Sequence, residues 1–265
     1  MKKLLYIIIL LALSSFATTF AASITTNNVL DMPFNGFYGS VSGGVFVGTN
    51  KINSHSYTIT SIHYLQQSGG DVVKTSGIGV LALGFGHEFN QHLYLGAEAF
   101  ASYANRNPNS INLYFNDPLT PISVNLNSKM KMRKCEYGID LKPGIVFDHN
   151  TLFYGRLGVA FNKIALESSS LLRSGPDIVR LEAKKQKSIA LCRFGLGTER
   201  MLTKNLSVHF DYIFSFGKRI NAYGTMPFGG ETIIQSFSVT PKSHQFLLGF
   251  SYYIGDNICH LINKN

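Results

Sequence analysis

The sequence predicts an all-β fold, an antiparallel up-and-down barrel of eight strands that crosses a membrane. Three stretches carry this prediction, beginning at Gly86, Gly144 and Gly197. Each consists of a strand, a short polar turn and a returning strand in which apolar and polar residues alternate. The alternation continues for about ten residues, which is the length of a tilted transmembrane β-strand.

Alternation and turn residues place eight strands along the chain. Three strand pairs are joined by short polar turns at residues 90–92, 149–150 and 203–205. The predicted strands comprise residues 36–49, 77–89, 93–104, 131–148, 152–162, 188–202, 206–217 and 242–254.

Four long connections join the remaining strand ends, at residues 50–76, 105–130, 163–187 and 218–241. Such loops are uncommon inside a compact soluble domain. Outer-membrane β-barrels combine short periplasmic turns with long extracellular loops, so we predict four extracellular loops. Residues 57–65 and 232–239 are themselves strand-like and indicate hairpins above the membrane. Ten strands are therefore an alternative.

The N-terminal residues have the features of a secretory signal peptide. Lys2 and Lys3 precede an apolar run of about ten residues, which is too short for a transmembrane helix. Cleavage after Ala21 fits best, with Ala17 and Ala22 as alternatives. We therefore divide the chain into a signal peptide (1–21), a leader (22–35), the barrel (36–254) and a short tail (255–265).

The composition favours a surface that faces lipid. Charged residues make up 15% of the chain, whereas soluble domains carry about 25%. A secreted β-sandwich is the alternative that this composition leaves open. The formal net charge of +9 would suggest nucleic acid in a cytosolic protein, but an exported chain meets anionic lipopolysaccharide instead. A solvated loop surface is the simplest explanation of the basic residues.

The cysteines give no sign of a disulfide framework or a metal site. Their number is odd, and the spacing of Cys135, Cys192 and Cys259 contains no CxxC pair. Cys135 and Cys192 lie on the apolar phase of two predicted strands, so we expect separate, lipid-facing thiols. The sequence contains no metal, nucleotide or flavin signature, and we predict no cofactor.

The polar phase of the strands predicts a charged barrel interior. An eight-stranded barrel has just enough room for side chains to fill it, and an unpaired charge there costs several kcal/mol. We therefore predict a salt-bridged plug that stabilises the barrel; a gated solute path and a proton or ligand site are alternatives. The predicted interior cluster comprises Glu98, Asp140, Arg156, Arg193, Glu199, His209 and Asp211, with Glu136 and Lys142 on the same phase.

Two segments, GFYGSVSGGVFVG from Gly36 and LYLGAEAFASY from Leu93, resemble the small eight-stranded outer-membrane barrels, the OmpA-like and opacity-protein superfamily. The resemblance extends over residues 36–254. It implies a location in the bacterial outer membrane and recognition of the last strand by the barrel assembly machinery. In that family the last strand usually ends the chain with an aromatic residue, whereas a polar tail follows here.

We therefore expect a surface protein with a structural, antigenic or adhesive role through its extracellular loops, and not an enzyme. The expected partners are outer-membrane lipid, lipopolysaccharide and host or environmental ligands at the loops, but no nucleic acid. Plausible loop contacts are Tyr114, Phe115, Arg173 and Arg180.

Two other functions remain as alternatives, a narrow porin-like channel for ions or small solutes and a lipid A-modifying enzyme. Such an enzyme needs a nucleophile, a base and an orienting group within hydrogen-bond reach. The spacing of the available serine and histidine residues selects no such trio. The candidates are Ser54, His55, Ser56, His63, Ser243 and His244.

Overall fold

A computed structural model of the protein describes residues 32–58, 64–89, 92–106, 109–116, 122–174, 177–228 and 231–254. No residue in these ranges belongs to a helix long and apolar enough to cross a membrane. Within the same ranges the chain forms twelve strands, β1 (Gly36–Thr58), β2 (Tyr64–Phe89), β3 (Leu93–Ala104), β4 (Asn109–Asn116), β5 (Ile122–Met132), β6 (Cys135–Phe147), β7 (Thr151–Ser174), β8 (Asp177–Met201), β9 (Leu206–Gly217), β10 (Ile220–Phe228), β11 (Glu231–Thr240) and β12 (Lys242–Ile254).

Eight of these described strands close a ring of antiparallel pairs, in the order β1, β2, β3, β6, β7, β8, β9 and β12. The ring closes because β1 pairs with β2 on one side and with β12 on the other. This confirms the predicted eight-stranded barrel and excludes the β-sandwich. The observed bounds of β3, β9 and β12 coincide with the predicted ones.

The stagger of the ring sets its width. We step from Phe37 of β1 to its paired residue on β2, and then from each residue to its partner on the next strand around the ring. This path returns to β1 at Val47, ten residues beyond Phe37. With a rise of about 3.3 Å per residue and a strand spacing of about 4.8 Å, this stagger tilts the strands by about 40° and gives a radius of about 8 Å. Side chains alone can fill a lumen of that size. The path runs through Phe37, Phe85, Ala97, Leu141, Leu157, Phe194, Phe214, His244 and Val47.

The outward faces of the ring form an apolar band. Leu83 is 74% exposed and Leu81 is 65% exposed, values that would be unfavourable in water. On β3 the band runs from Leu93 to Tyr103, which corresponds to about 25 Å along the barrel axis at the tilt given above. Cys192 is an exposed free thiol on this face, and Cys135 is also free and exposed. Polar residues inside and apolar residues outside are the arrangement of a transmembrane β-barrel.

The four long connections largely form strands, as the strand-like residues 232–239 indicated for β11, whereas the strands within 105–130 and 163–187 were not predicted. Beyond the ring, β1 and β2 continue as one hairpin, and β7 and β8 continue as another. Two further hairpins, β4–β5 and β10–β11, pair with the outer parts of β7 and β1 respectively. The predicted strand 131–148 is therefore divided between β5 and β6 at residues 133–134. We call these four hairpins beyond the ring the hairpin extension.

An apolar interior explains why the hairpin extension is ordered β-structure. The inward residues of its strands continue the buried face of the barrel, and their side chains form one cluster. Burial of this cluster stabilises pairing that local alternation alone would not predict. The buried residues include Ile52, Met130, Ile164, Leu166, Ile220, Phe237 and Val239. The barrel thus has a hairpin end and, opposite to it, a short-turn end.

Candidate functional site

Three groups of side chains fill the barrel interior. Aromatic residues at the short-turn end, among them Phe34, Tyr94 and Tyr253, form one buried cluster. Apolar residues at the hairpin end form the second cluster. Between them lies a network of ionisable side chains, which we call the charged layer. The charged layer consists of Glu98, Arg106, Glu136, Asp140, Lys142, Arg156, Arg193, Glu199, His209 and Asp211.

Arg156 on β7 is the centre of the charged layer. Its Nη1 donates to Glu98 Oε1 at 2.7 Å and to Asp140 Oδ2 at 3.1 Å. Its Nε and Nη2 donate to the two carboxylate oxygens of Asp211, each at 3.0 Å. The hydroxyl of Tyr154 donates to Asp211 Oδ1 at 2.7 Å. One guanidinium therefore joins carboxylates from β3, β6 and β9 across the lumen.

Arg193 on β8 forms a second centre nearer the hairpin end. It donates to both oxygens of Asp140, at 3.1 and 3.2 Å, and to Glu136 Oε1 at 3.4 Å. Its guanidinium lies 3.9 Å from the ring centroid of Phe100, where a cation–π contact adds to the ion pairs. Arg106 Nη2 donates to Glu136 Oε2 at 3.0 Å and extends the network towards the hairpin end.

Lys142 on β6 connects the charged layer to the aromatic cluster. Its Nζ lies 3.5 Å from Glu98 Oε2 and 3.5 Å from Glu199 Oε2. The same Nζ lies 4.3 Å from the ring centroid of Tyr154 and 5.0 Å from that of Tyr38. The Tyr38 hydroxyl donates to Glu98 Oε2 at 3.1 Å. Lys142 therefore connects two carboxylates with two tyrosine rings, whereas the buried Tyr94 hydroxyl has no hydrogen-bond partner within the described residues.

His209 lies between two serine hydroxyl groups and does not complete a catalytic triad. Its Nε2 is 3.0 Å from Ser42 Oγ, and its Nδ1 is 3.1 Å from Ser251 Oγ. The nearest carboxylate oxygen, on Asp211, lies 3.8 Å from Nε2, the nitrogen that also faces Ser42. A triad needs an acid hydrogen-bonded to the nitrogen opposite the nucleophile; for Ser42 the acid is at the wrong nitrogen, and for Ser251 it is too distant at 3.8 Å. Moreover, Arg156 already binds both oxygens of Asp211.

The structure brings all seven residues of the predicted interior cluster together. None of them is more than 5% exposed, and each contacts another member of the charged layer or a buried serine. Sequence reasoning missed Arg106 because it follows β3 in a predicted loop. Its position on the inward phase of β3, after Ser102 and Ala104, was the available signal.

The charged layer is nearly neutral in formal charge. Among the described side chains it contains five carboxylates and four cations, in addition to the histidine. Removing one partner of a buried ion pair costs about 3–5 kcal/mol, because the other partner stays buried and unpaired. Side chains from most ring strands meet here, so a solute could pass only if these ion pairs opened.

Inward glycines provide the space that the charged layer occupies. At Gly197 on β8 an added Cβ would contact Asp211 Oδ1 and the ring of Tyr154. At Gly158 on β7 it would contact Asp140 Oδ1. Larger residues at these positions would displace the groups that bind the two arginines.

Other candidate chemistry has little support in the described part of the chain. The described residues contain no group of three His, Cys, Asp or Glu side chains that could hold a metal ion. Ser243 is buried, and His244 Nδ1 lies 2.8 Å from the Tyr212 hydroxyl. Outside the described side chains lie Ser54, His55, Ser56, His63, Tyr114, Phe115, Arg173 and Arg180.

Exposed cationic residues follow the apolar band at the hairpin end. Lys163 on β7 lies two residues beyond the outward Phe161, and Lys134 Nζ lies 6.0 Å from the ring centroid of Tyr103. Among the described side chains, Glu167 Oε2 lies 3.5 Å from Lys131 Nζ, and Glu182 Oε2 lies 3.1 Å from Lys184 Nζ. We call this group the basic belt, and it consists of Lys129, Lys131, Arg133, Lys134, Lys163, Lys184, Lys185, Lys187, Lys218 and Arg219.

The sequence matches no protein-family model and no curated protein. Solved structures with a similar architecture include Ail of Yersinia pestis, with 11% identity over 79% of this chain and 99% of that chain and a TM-score of 0.29. OprG from Pseudomonas aeruginosa has 13% identity over 83% of this chain and 97% of that chain, with a TM-score of 0.46. The protease OmpT from Escherichia coli has 10% identity over 87% and 99%, with a TM-score of 0.32. At these identities the similarity concerns the outer-membrane barrel architecture alone.

Proposed function

We propose that the protein is a non-conducting outer-membrane barrel that acts as a structural and adhesive surface element through its hairpin extension. The observation that carries the proposal is the position of the basic belt. Its nearest members, Lys134 and Lys163, lie directly beyond the apolar band, at the level where lipid head groups begin, and Lys129 and Lys184 lie further towards the hairpin end. The same end of the barrel carries the hairpin extension, which we propose to be extracellular because bacterial barrels have their short turns in the periplasm.

The chemistry of the basic belt favours phosphorylated lipid head groups, above all lipopolysaccharide. Lys134 and Lys163 are exposed, and each Lys or Arg close to an anionic membrane surface contributes about 1 kcal/mol of attraction. Because the acidic residues nearby are few, the belt retains a net positive charge. The proposed anchoring would fix the height and orientation of the extension above the membrane, where it would meet host or environmental ligands.

A binding experiment with deacylated lipopolysaccharide tests this proposal, because that probe keeps its phosphates but cannot insert into lipid. We expect the protein in phosphatidylcholine nanodiscs to bind it in a salt-sensitive manner. The double variant Lys134→Glu, Lys163→Glu should bind the probe at least roughly tenfold more weakly. The control Lys204→Glu reverses the charge of an exposed lysine at the short-turn end and should have no effect. An equal loss of binding in Lys204→Glu, or binding that does not change with salt concentration, would overturn the proposal.

The proposal includes export and assembly. Residues 1–21 would be removed as a signal peptide, and β12 would be the strand that the barrel assembly machinery recognises. N-terminal sequencing of the protein from outer membranes tests the first point, with Ala22 as the expected first residue. An N-terminus at Met1 in membrane-inserted protein would contradict it.

We propose no catalytic role. The most triad-like arrangement among the described residues, Ser251 with His209 and Asp211, is buried, and its acid lies 3.8 Å from the imidazole, beyond hydrogen-bond reach. Expression should therefore leave the mass of lipid A unchanged, and a new lipid A species would contradict this part of the proposal.

A further inference from the structure

The four residues that precede β1 form a tight turn at the short-turn end of the barrel. The Asn35 N–H donates to the Met32 carbonyl oxygen at 3.2 Å and closes the turn over Pro33 and Phe34. Pro33 occupies the second position of this turn, where its fixed φ favours the conformation. Gly36 follows with a φ of 100°, which L side chains rarely adopt, and leads the chain into β1. We call these four residues the N-terminal turn.

The N-terminal turn inserts one side chain, Phe34, into the aromatic cluster. Phe34 is 0% exposed, and its ring makes edge contacts with Tyr94 on β3 and Tyr253 on β12, at centroid distances of 6.4 and 5.9 Å. Val146 on β6 and Leu152 on β7 contribute to the same cluster from the far side of the ring. The ring strands therefore form a seat at this mouth, and a residue from outside the ring fills it.

Two hydrogen bonds with Glu88 on β2 hold the N-terminal turn in place. The Phe34 N–H donates to Glu88 Oε1 at 2.7 Å, and the Glu88 N–H donates to Asn35 Oδ1 at 2.6 Å. The β1–β2 ladder ends at the pair Gly36 and Gly86, so these two bonds continue it through side chains. Glu88 is 3% exposed, and a buried polar group that loses its partner is unfavourable. Glu88 is thus a latch for the turn.

We propose that the N-terminal turn is a lid, which closes the short-turn mouth of the lumen and opens locally while the ring stays folded. The ring part of β1 pairs with strands on both sides, whereas the turn is held to β2 by two hydrogen bonds and to the cluster by one ring. A segment with few contacts opens at a lower free energy than the whole fold. The closed lid keeps water at this mouth away from the aromatic cluster and from Lys142, which lies against Tyr38 and Tyr154.

Thiol reactivity in lipid nanodiscs tests this inference. In protein whose three native cysteines are replaced by serine, Val146→Cys places a thiol in the aromatic cluster, at a position that is 3% exposed. A charged, membrane-impermeant thiosulfonate reaches this thiol only through the short-turn mouth, because the charged layer closes the other side. We expect a slow reaction, limited by opening of the lid. Adding Phe34→Ala should speed it at least roughly tenfold, because the lid then lacks its buried ring.

Further variants separate the lid from its latch and from the ring. Glu88→Ala removes the acceptor and should speed the reaction roughly threefold or more, whereas Glu88→Gln keeps an acceptor oxygen and should stay within roughly twofold of the parent. Phe37→Ala is the matched control, since Phe37 is 60% exposed on the outer face three residues along the chain, and it should not change the rate. Ala160→Cys lies in the apolar cluster at the hairpin end and should stay unreactive in the Phe34→Ala background.

Three results would overturn the inference. Labelling of Val146→Cys as fast as that of an exposed reference thiol, Lys204→Cys, would show an open mouth. An unchanged rate in Glu88→Ala, together with an unchanged rate in any folded Phe34→Ala, would show that the turn is not the barrier. Equal acceleration at Ala160→Cys would show loosening of the whole ring. None of these results depends on lipopolysaccharide binding by the basic belt.

Discussion

Replacing Arg156 by alanine should destabilise the barrel by about 3–5 kcal/mol, the cost of breaking a buried ion pair. The variant removes four hydrogen bonds to Glu98, Asp140 and Asp211. The three carboxylates differ in the partners that they keep. Glu98 keeps Lys142 and Tyr38, and Asp140 keeps Arg193. Asp211 retains only the Tyr154 hydroxyl at hydrogen-bond distance, so most of the cost should fall on Asp211.

A double-mutant cycle isolates this cost. Asp211→Ala in the Arg156→Ala background should restore part of the lost stability, with a coupling energy within the upper part of the usual range of about 0.5–3 kcal/mol. The free energy of unfolding is measured from urea titrations in lipid vesicles, with the mobility of unheated protein in SDS gels as the signal for the folded barrel. Arg219→Ala, at an exposed arginine, is the control and should change stability by less than about 0.5 kcal/mol. A loss below about 1 kcal/mol in Arg156→Ala, or a coupling energy near zero, would refute the reasoning.

Two further predictions concern packing and lipid exposure. Gly197→Ala should cost about 1–3 kcal/mol in the same unfolding assay, because its Cβ would contact the Asp211 carboxylate and the Tyr154 ring. Gly79→Ala is its control, since no atom lies within 4 Å of a Cβ added there, and equal losses in the two variants would argue against the packing described. In protein whose Cys135 and Cys259 are replaced by serine, the exposed thiol of Cys192 should react with an apolar, membrane-soluble maleimide but not with a charged one. Rapid labelling by the charged reagent in intact vesicles would show that this face of β8 meets water.

The ring strands could be predicted from the sequence because apolar and polar residues alternate regularly in strands that separate lipid from a polar lumen. The strands β3, β9 and β12 have the predicted bounds, and Glu98, His209 and Asp211, which were placed on the inward phase of β3 and β9, are buried. Here each outward position must be apolar and each inward position must fit a filled lumen. That double constraint makes the period of two visible in a single sequence.

The hairpin extension was not predictable in the same way. Local pattern indicated β11 through the strand-like residues 232–239. It did not indicate β4, β5 and β10, which are stabilised by pairing with other strands and by a shared apolar cluster. The partners within the charged layer were equally hidden. Which carboxylate meets Arg156 depends on the stagger of ten residues around the ring, and that number is fixed only when the ring closes.

The most direct test of the closed lumen is the planar-bilayer conductance of the refolded protein beside its Arg156→Ala variant. The charged layer predicts no reproducible current steps for the wild type, because a conducting path would require its ion pairs to open. In the variant, loss of the central guanidinium should produce leakage through the lumen. Reproducible steps in the wild type, carried by ions that pass Glu98, Arg156 and Asp211, would contradict the account and identify the protein as a channel.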